Sequence, residues 1–283
     1  MGPDELTRDG VAVGPTAFVL GGGGVLGANE VGMLQALLAV GIRPDLVLGT
    51  SVGAVNGAVL AGDPTEAAVE RLTSLWRSTG QTVWRSSPVR RVRAVARTRT
   101  ALQTADPLRA LLTEHLGDVD IEDLTVPFEC CAASIERAAE HWFDRGPLVD
   151  AVLASCAVPG LYPPVEVGGE HFFDGGLVNS IPVSRAVEHG ATTIYVIQVG
   201  RVERPLAVPR RPWEVATTAF EIARRHRFAR DMAAVPPGVR VHVLPSGEEH
   251  APTTARTREI GAVGARIARA YDASAAYLAQ QED

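Results

Sequence analysis

The chain has 283 residues, 46% of them hydrophobic and 21% charged, and a formal net charge of −6. That size and composition suit one large α/β domain or two small ones, and the acidic balance argues against a nucleic-acid partner. All 27 basic residues are arginine, as a GC-rich genome produces, so Schiff-base chemistry and a P-loop lysine are excluded.

Residues 1–15 read as a flexible tail. Thr16–Leu20 is a short apolar run ending in glycine, which predicts a buried strand. Ala28–Val40 places Val31, Leu34, Leu37 and Leu38 at helical spacing and stops at Gly41. DLVLGT (45–50) predicts a second strand, and the small-residue run 52–62 a second helix. Strand, helix, strand, helix in this order predicts a parallel sheet with crossover helices. PTEAAVERLTSLWRS (64–78) is an amphipathic helix. The stretch 85–99 carries six arginines among valines and alanines; it reads as a solvated segment or as a surface for anionic lipid. Asp106-Pro107 opens a helix to Leu116, with Asp106 as its N-cap, and Gly117 closes it. Residues 127–135 and 140–144 read as paired strands, and 147–157 as a helix broken by VPGLYPPV. EHFFDGG (170–176) is a strand end followed by a glycine turn. Residues 191–200 and 239–245 are two more strands, and helical patterns at 212–234 and 256–280 finish the chain. No linker interrupts 16–283, so a single domain is expected.

Cys130, Cys131 and Cys156 have no C-x-x-C spacing, and point to neither a disulfide framework nor a zinc site. No metal or other cofactor is called for. The start MGPDELTRDG lacks a signal-peptide pattern, and no apolar run approaches the roughly 18 residues of a membrane span. A cytoplasmic location is expected, with peripheral contact at a lipid surface allowed.

Two glycine-rich stretches carry the chemistry. Gly22-Gly23-Gly24-Val25-Leu26-Gly27 fits G-x-G-x-x-G after a strand and before a helix, which admits a dinucleotide. That reading needs an acidic residue at the carboxyl end of the second strand, and Asp45 stands at its beginning. The second strand ends instead in Gly49-Thr50-Ser51-Val52-Gly53, a G-x-S-x-G elbow between strand and helix. Such a turn lifts a serine Oγ above the sheet and aims a helix N-terminus at it. If the two strands are neighbours, the amides of Gly22, Gly23, Gly24, Val25 and Gly27 form a candidate oxyanion hole, with Gly23, Gly24 and Val25 foremost.

A serine nucleophile needs a base. A histidine following Asp174 would satisfy the α/β-hydrolase order, but that fold places several strands before its nucleophile, and none of His189, His226, His242 or His250 has a special local context. Asp174 ends a strand after Phe172 and Phe173 and precedes Gly175-Gly176; the aromatic pair would desolvate it and raise its basicity. Ser155 and Cys156 read as small residues packed beneath the site, and Asn179 as a side-chain support for the glycine turn.

In order along the chain, GGGGVLG, GTSVG, ASCAVPGLYPPV (154–165) and DGGLVNSIP (174–182) resemble the patatin-like phospholipases across most of 16–200. The resemblance implies a three-layer α/β/α sandwich with a mostly parallel central sheet. It implies Ser51 as nucleophile, Asp174 as base, a glycine-loop oxyanion hole, and hydrolysis of fatty-acyl esters of lipids. Gly49, Gly53, Gly175 and Gly176 then support elbow and turn. Many members carry arginine or lysine where this chain has Leu26, so the loop lacks a cation for an anionic head group, which favours neutral esters. An acyltransferase on the same dyad, or a non-catalytic lipid-binding or regulatory protein, is the alternative. No motif assigns the C-terminal portion, about 201–283.

Overall fold

A computed structural model of the protein describes residues 14–82, 98, 100–199, 205–247 and 263–281. Among these, eight strands form one mixed sheet: β1 (Thr16–Leu20), β2 (Leu46–Thr50), β3 (Phe128–Ser134), β4 (Ala139–Phe143), β5 (Val165–Val167), β6 (Glu170–Asp174), β7 (Thr193–Ile197) and β8 (Arg240–Val243). β3, β2, β1, β7 and β8 lie side by side and parallel. β4 and β6 run antiparallel to β3, and β5 antiparallel to β6.

The described helices are α1 (Ala28–Ala39), α2 (Val52–Gly62), α3 (Glu66–Thr82), α4 (Asp106–Leu116), α5 (Leu148–Ser155), α6 (Val183–Glu188), α7 (Pro212–Ala233) and α8 (Val263–Ala279). The period-two alternation of the strands divides them into two outer layers. Phe18 and Leu20 of β1, with Val47 of β2, point into a core shared with α1 to α5 and α8. Ala17 and Val19, with Leu46 and Leu48, point the other way, into a core closed by α6 and Phe228 of α7. The architecture is therefore the expected three-layer α/β/α sandwich, with five strands parallel and an antiparallel flank. α8 lies so close to α1 that a side chain on Gly32 would collide with the Ile267 carbonyl.

One register feature sets up the site. β2 pairs Thr50 with Cys131 of β3, and β6 pairs Asp174 with Ala132, the next residue. β4 occupies the opposite edge of β3 from Cys130 to Ser134. β2 and β6 therefore lie end to end along one edge of β3, with their carboxyl ends facing each other.

The structure departs from the sequence expectations in a few places. α4 starts with Ala105 as N-cap; Asp106 and Pro107 instead fill the first turn, where an acidic side chain faces the helix dipole. β5 and α6 had no clear signal. The tail 1–13, the arginine-rich stretch 85–99 apart from Thr98, and residues 256–262 of the final helical pattern lie outside the described residues.

Candidate active site

Ser51 joins β2 to α2 with φ 57° and ψ −124°, a conformation that non-glycine residues seldom adopt and that costs on the order of 1–3 kcal/mol. The surroundings enforce it. A Cβ on Gly49 would stand 2.6 Å from the Ala54 Cα, and one on Gly53 would collide with the Leu20 carbonyl, so the elbow closes tightly against the first turn of α2 and the end of β1. The Ser51 carbonyl accepts from the amides of Ala54 and Val55. Its own amide donates to Ser155 Oγ at 2.9 Å, and that hydroxyl donates to the Cys131 carbonyl at 2.6 Å. Ser155 is thus more than the small packing residue expected: it bridges the elbow to β3. The Thr50 hydroxyl donates to the Asn179 carbonyl at 2.8 Å and ties β2 to the segment after the glycine turn.

With the elbow fixed, the Ser51 hydroxyl donates to Asp174 Oδ2 at 2.6 Å. The other carboxylate oxygen accepts from the Gly176 amide at 2.8 Å, and the Asp174 amide donates to the Ala157 carbonyl. Gly175 sits against β3, where a side chain would run into the Cys131 carbonyl, and the Phe220 ring covers Gly176. Asp174 is 1% exposed, and burial pushes its carboxyl up to about 6, with the bonds from Ser51 and Gly176 pulling the other way. Of the two preceding aromatics only Phe172 is fully buried, as the alternation of β6 requires; its ring packs on Phe143. Asn179 does not brace the turn with its side chain as expected. Its amide donates to the Gly175 carbonyl, while its side chain donates to Glu140.

The glycine loop leaves the end of β1 beside the elbow, where a Cβ on Gly22 would stand 3.5 Å from the Ser51 Cβ. The Gly21 amide donates to the Ile197 carbonyl, the Gly22 amide to the Ser180 carbonyl and the Gly27 amide to the Gly24 carbonyl. Gly22 and Gly27, both expected among the oxyanion-hole amides, are therefore already engaged. The amides of Gly23, Gly24 and Val25 meet no backbone acceptor among the described residues. Gly24 takes φ +56°, open to glycine at little cost.

Ser51, Asp174, Gly23 and Gly24 all line one cavity of about 800 Å³. Val55, Leu75, Trp76, Leu108, Leu111 and Leu112 form its apolar side. Cys156 lines it too; burial and the nearby Asp174 push its thiol well above the usual range, so it stays protonated and is a poor nucleophile. Behind the loop, Asn56 donates to the Gly27 carbonyl and to Glu30, and accepts from the Trp76 indole at 2.9 Å. Burial holds the Glu30 carboxyl well above the ordinary carboxylate range. This network fastens the loop to the cavity wall. It was missed because each member reads as an ordinary helix residue.

The described histidines lie elsewhere. His189 caps α6 and meets Glu129 at 2.8 Å, His242 stacks on Tyr195, and His226 is exposed on α7. His250 is outside the described residues. Among the described residues no group of acidic, histidine and cysteine side chains could hold a metal ion, and no helix is long and apolar enough to cross a membrane.

Comparison with known proteins identifies the family. A family model described as patatin-like phospholipase matches residues 18–187. Lysophospholipase NTE1 of Candida glabrata is 32% identical over 202 residues, 69% of this chain and 11% of that protein. The patatin-like phospholipase domain-containing protein ZK370.4 of Caenorhabditis elegans is 33% identical over 66% of this chain and 14% of its own length. Among solved structures, VipD of Legionella pneumophila aligns with 96% of this chain and 68% of its own, at 15% identity and a TM-score of 0.49. The chain thus corresponds to a small part of the curated relatives it matches. With the family model spanning the glycine loop, the elbow and Asp174, this chain belongs to the patatin-like phospholipase family.

Proposed function

We propose that this chain is a serine lipid acyl hydrolase that cleaves fatty-acyl esters with Ser51 as nucleophile and Asp174 as base. The observation that carries the reading is the 2.6 Å hydrogen bond from the Ser51 hydroxyl to a buried carboxylate, on the wall of a cavity large enough for an acyl chain. The names of the relatives, lysophospholipases among them, support a lipid ester as substrate.

The chemistry follows from the placement of the groups. Ser51 Oγ attacks the ester carbonyl carbon as its proton passes to Asp174 Oδ2. The carbonyl π electrons move to the oxygen, and the amides of Gly23 and Gly24 receive the oxyanion, helped by the positive end of α2. Collapse breaks the carbon–oxygen bond to the alcohol, which leaves with the proton held by Asp174. Water then gives a proton to Asp174 and attacks the acyl-enzyme. The fatty acid departs as Ser51 recovers its proton. A carboxyl titrating at about 6 is ionised at neutral pH and is a stronger base than an ordinary aspartate. The bond made before reaction also removes the cost of finding the base.

The test is incubation with a mixed lipid extract and mass-spectrometric identification of the released acids, with Ser51→Ala and Asp174→Asn alongside. Fatty acids released by the wild type and by neither variant are expected. Equal release by Ser51→Ala would overturn the reading.

A further inference from the structure

The glycine loop is held at both ends, and the two holds differ in kind. Where it leaves β1, backbone bonds fix it: the Gly21 amide donates to the Ile197 carbonyl and the Gly22 amide to the Ser180 carbonyl. Where it enters α1, a side chain joins the backbone. Asn56 of α2 donates from Nδ2 to the Gly27 carbonyl at 3.0 Å and to Glu30 Oε2 at 2.7 Å, and its Oδ1 accepts from Trp76 Nε1 at 2.9 Å. Between the two ends, turn bonds of 3.2 Å from Leu26 to Gly23 and from Gly27 to Gly24 shape the segment that carries the Gly23 and Gly24 amides.

An indole N–H can only donate and a backbone carbonyl can only accept, so one orientation of the Asn56 amide serves all three partners. The residues of α2 from Val52 to Ala61 are all buried, and Asn56 alone among them has a polar side chain. A leucine there would fill similar space with no polar group to satisfy, so stability alone does not call for the amide. Position does. α2 begins one residue after Ser51, so Asn56 stands on the same helix as the nucleophile. Its bond to Gly27 sets the loop's distance from Ser51 without passing through the sheet. Trp76 braces the same point from the cavity side: it lines the cavity and packs so closely on Gly27 that a Cβ there would collide with its ring.

We propose that Asn56 is a positioning residue for the oxyanion hole. Through the Gly27 carbonyl it sets where the Gly23 and Gly24 amides stand relative to Ser51, and Trp76 holds Asn56 in turn. The inference rests on the hydrolase reading of Ser51 and Asp174. Asn56 does not itself line the cavity. Its effect therefore falls on the tetrahedral adduct, whose oxygen carries a full charge toward the loop, and spares the ground-state ester.

The experiment measures kcat and KM on p-nitrophenyl butyrate for wild type, Asn56→Leu and Trp76→Phe, together with inhibition by two ketones of the same alkyl chain. On a trifluoromethyl ketone the Ser51 Oγ–carbon bond forms, the serine proton passes to Asp174, and the carbonyl π electrons become an oxyanion facing the loop. The matching methyl ketone binds without forming this adduct. Asn56→Leu should lower kcat about ten- to hundredfold with KM little changed, since a misplacement of about 1 Å costs on that order. It should weaken the trifluoromethyl ketone by the same factor and leave the methyl ketone nearly unaffected. Trp76→Phe keeps an aromatic ring and removes the N–H, so the preference for the trifluoromethyl ketone over the methyl ketone should fall by a smaller factor. That ratio cancels any change in the acyl wall, and it remains decisive if Asn56→Leu fails to fold. A wild-type ratio in either folded variant, or equal weakening of both ketones, means that the network serves stability alone and overturns the inference. Turnover that survives Ser51→Ala would instead defeat the hydrolase reading, a result separate from a failure at Asn56.

Discussion

Replacing Asp174 with asparagine should stabilise the fold at pH 8 while removing its activity. The carboxyl is buried and titrates at about 6 in the folded protein, against an ordinary value of 3.8. The unfolded chain therefore gives up this proton more readily than the folded one. The sign follows: the contribution of Asp174 to stability is fully present below pH 4 and is lost as pH rises through about 6. About two pKa units correspond to roughly 3 kcal/mol of destabilisation from the ionised carboxylate at pH 8. Asparagine has the same shape and no charge; its amide can still accept from Gly176 and donate to Ser51. The variant should then melt on the order of 10 °C higher than wild type at pH 8, since 1 kcal/mol shifts Tm by about 2–4 °C in a domain of this size class. The gap should close toward pH 4, where both side chains are neutral. Calorimetric melts at half-unit pH steps make the comparison, with ester hydrolysis followed on the same samples. A variant no more stable than wild type at pH 8, or a gap that does not change with pH, refutes the account of a desolvated carboxylate.

Three further outcomes follow from the same geometry. Ser51→Gly should be more stable than Ser51→Ala by about 1–3 kcal/mol in urea unfolding, because glycine relieves the left-handed φ of 57° that alanine would retain. Ser155→Ala leaves the Ser51 amide and the Cys131 carbonyl without their shared hydroxyl; it should cost about 1–3 kcal/mol of stability and lower kcat more than it raises KM, a split that steady-state kinetics would reveal. Leu111→Trp adds bulk on the apolar side of the cavity and should shift preference toward shorter acyl chains in a series of p-nitrophenyl esters, with the short-chain rate retained.

Much of the architecture was legible because its signals are local. Apolar runs ending in glycine marked β1 and β2, helical spacing marked α1, and Gly49 of the elbow is required by its contact with Ala54, five residues on. Asp174 stood out as a carboxylate between a strand and a glycine turn. What escaped depends on contacts distant in sequence. α6 spans Val183–Glu188, too short to form by intrinsic propensity, and is held by packing. The end-to-end meeting of β2 and β6 on β3 depends on strand register across more than a hundred residues. The Ser155 relay, the Glu30–Asn56–Trp76 network and the Phe220 ring over Gly176 use residue types common in any helix or strand. The absence of a cation at Leu26 concerned the glycine loop alone and left the distant walls of the cavity unread. Arg224 reaches the cavity from α7, far along the chain, in a sequence where every basic residue is arginine.

The most direct test of the Ser51–Asp174 pair is reaction with a fluorophosphonate, which traps an activated serine covalently, read by peptide mass spectrometry at pH 7.5. A single adduct on the peptide bearing Ser51 is predicted, formed at least a hundredfold more slowly in Asp174→Asn and absent in Ser51→Ala. An adduct on a different residue, or undiminished labelling of Ser51 in Asp174→Asn, would contradict the pairing of hydroxyl and carboxylate on which the proposed catalysis depends.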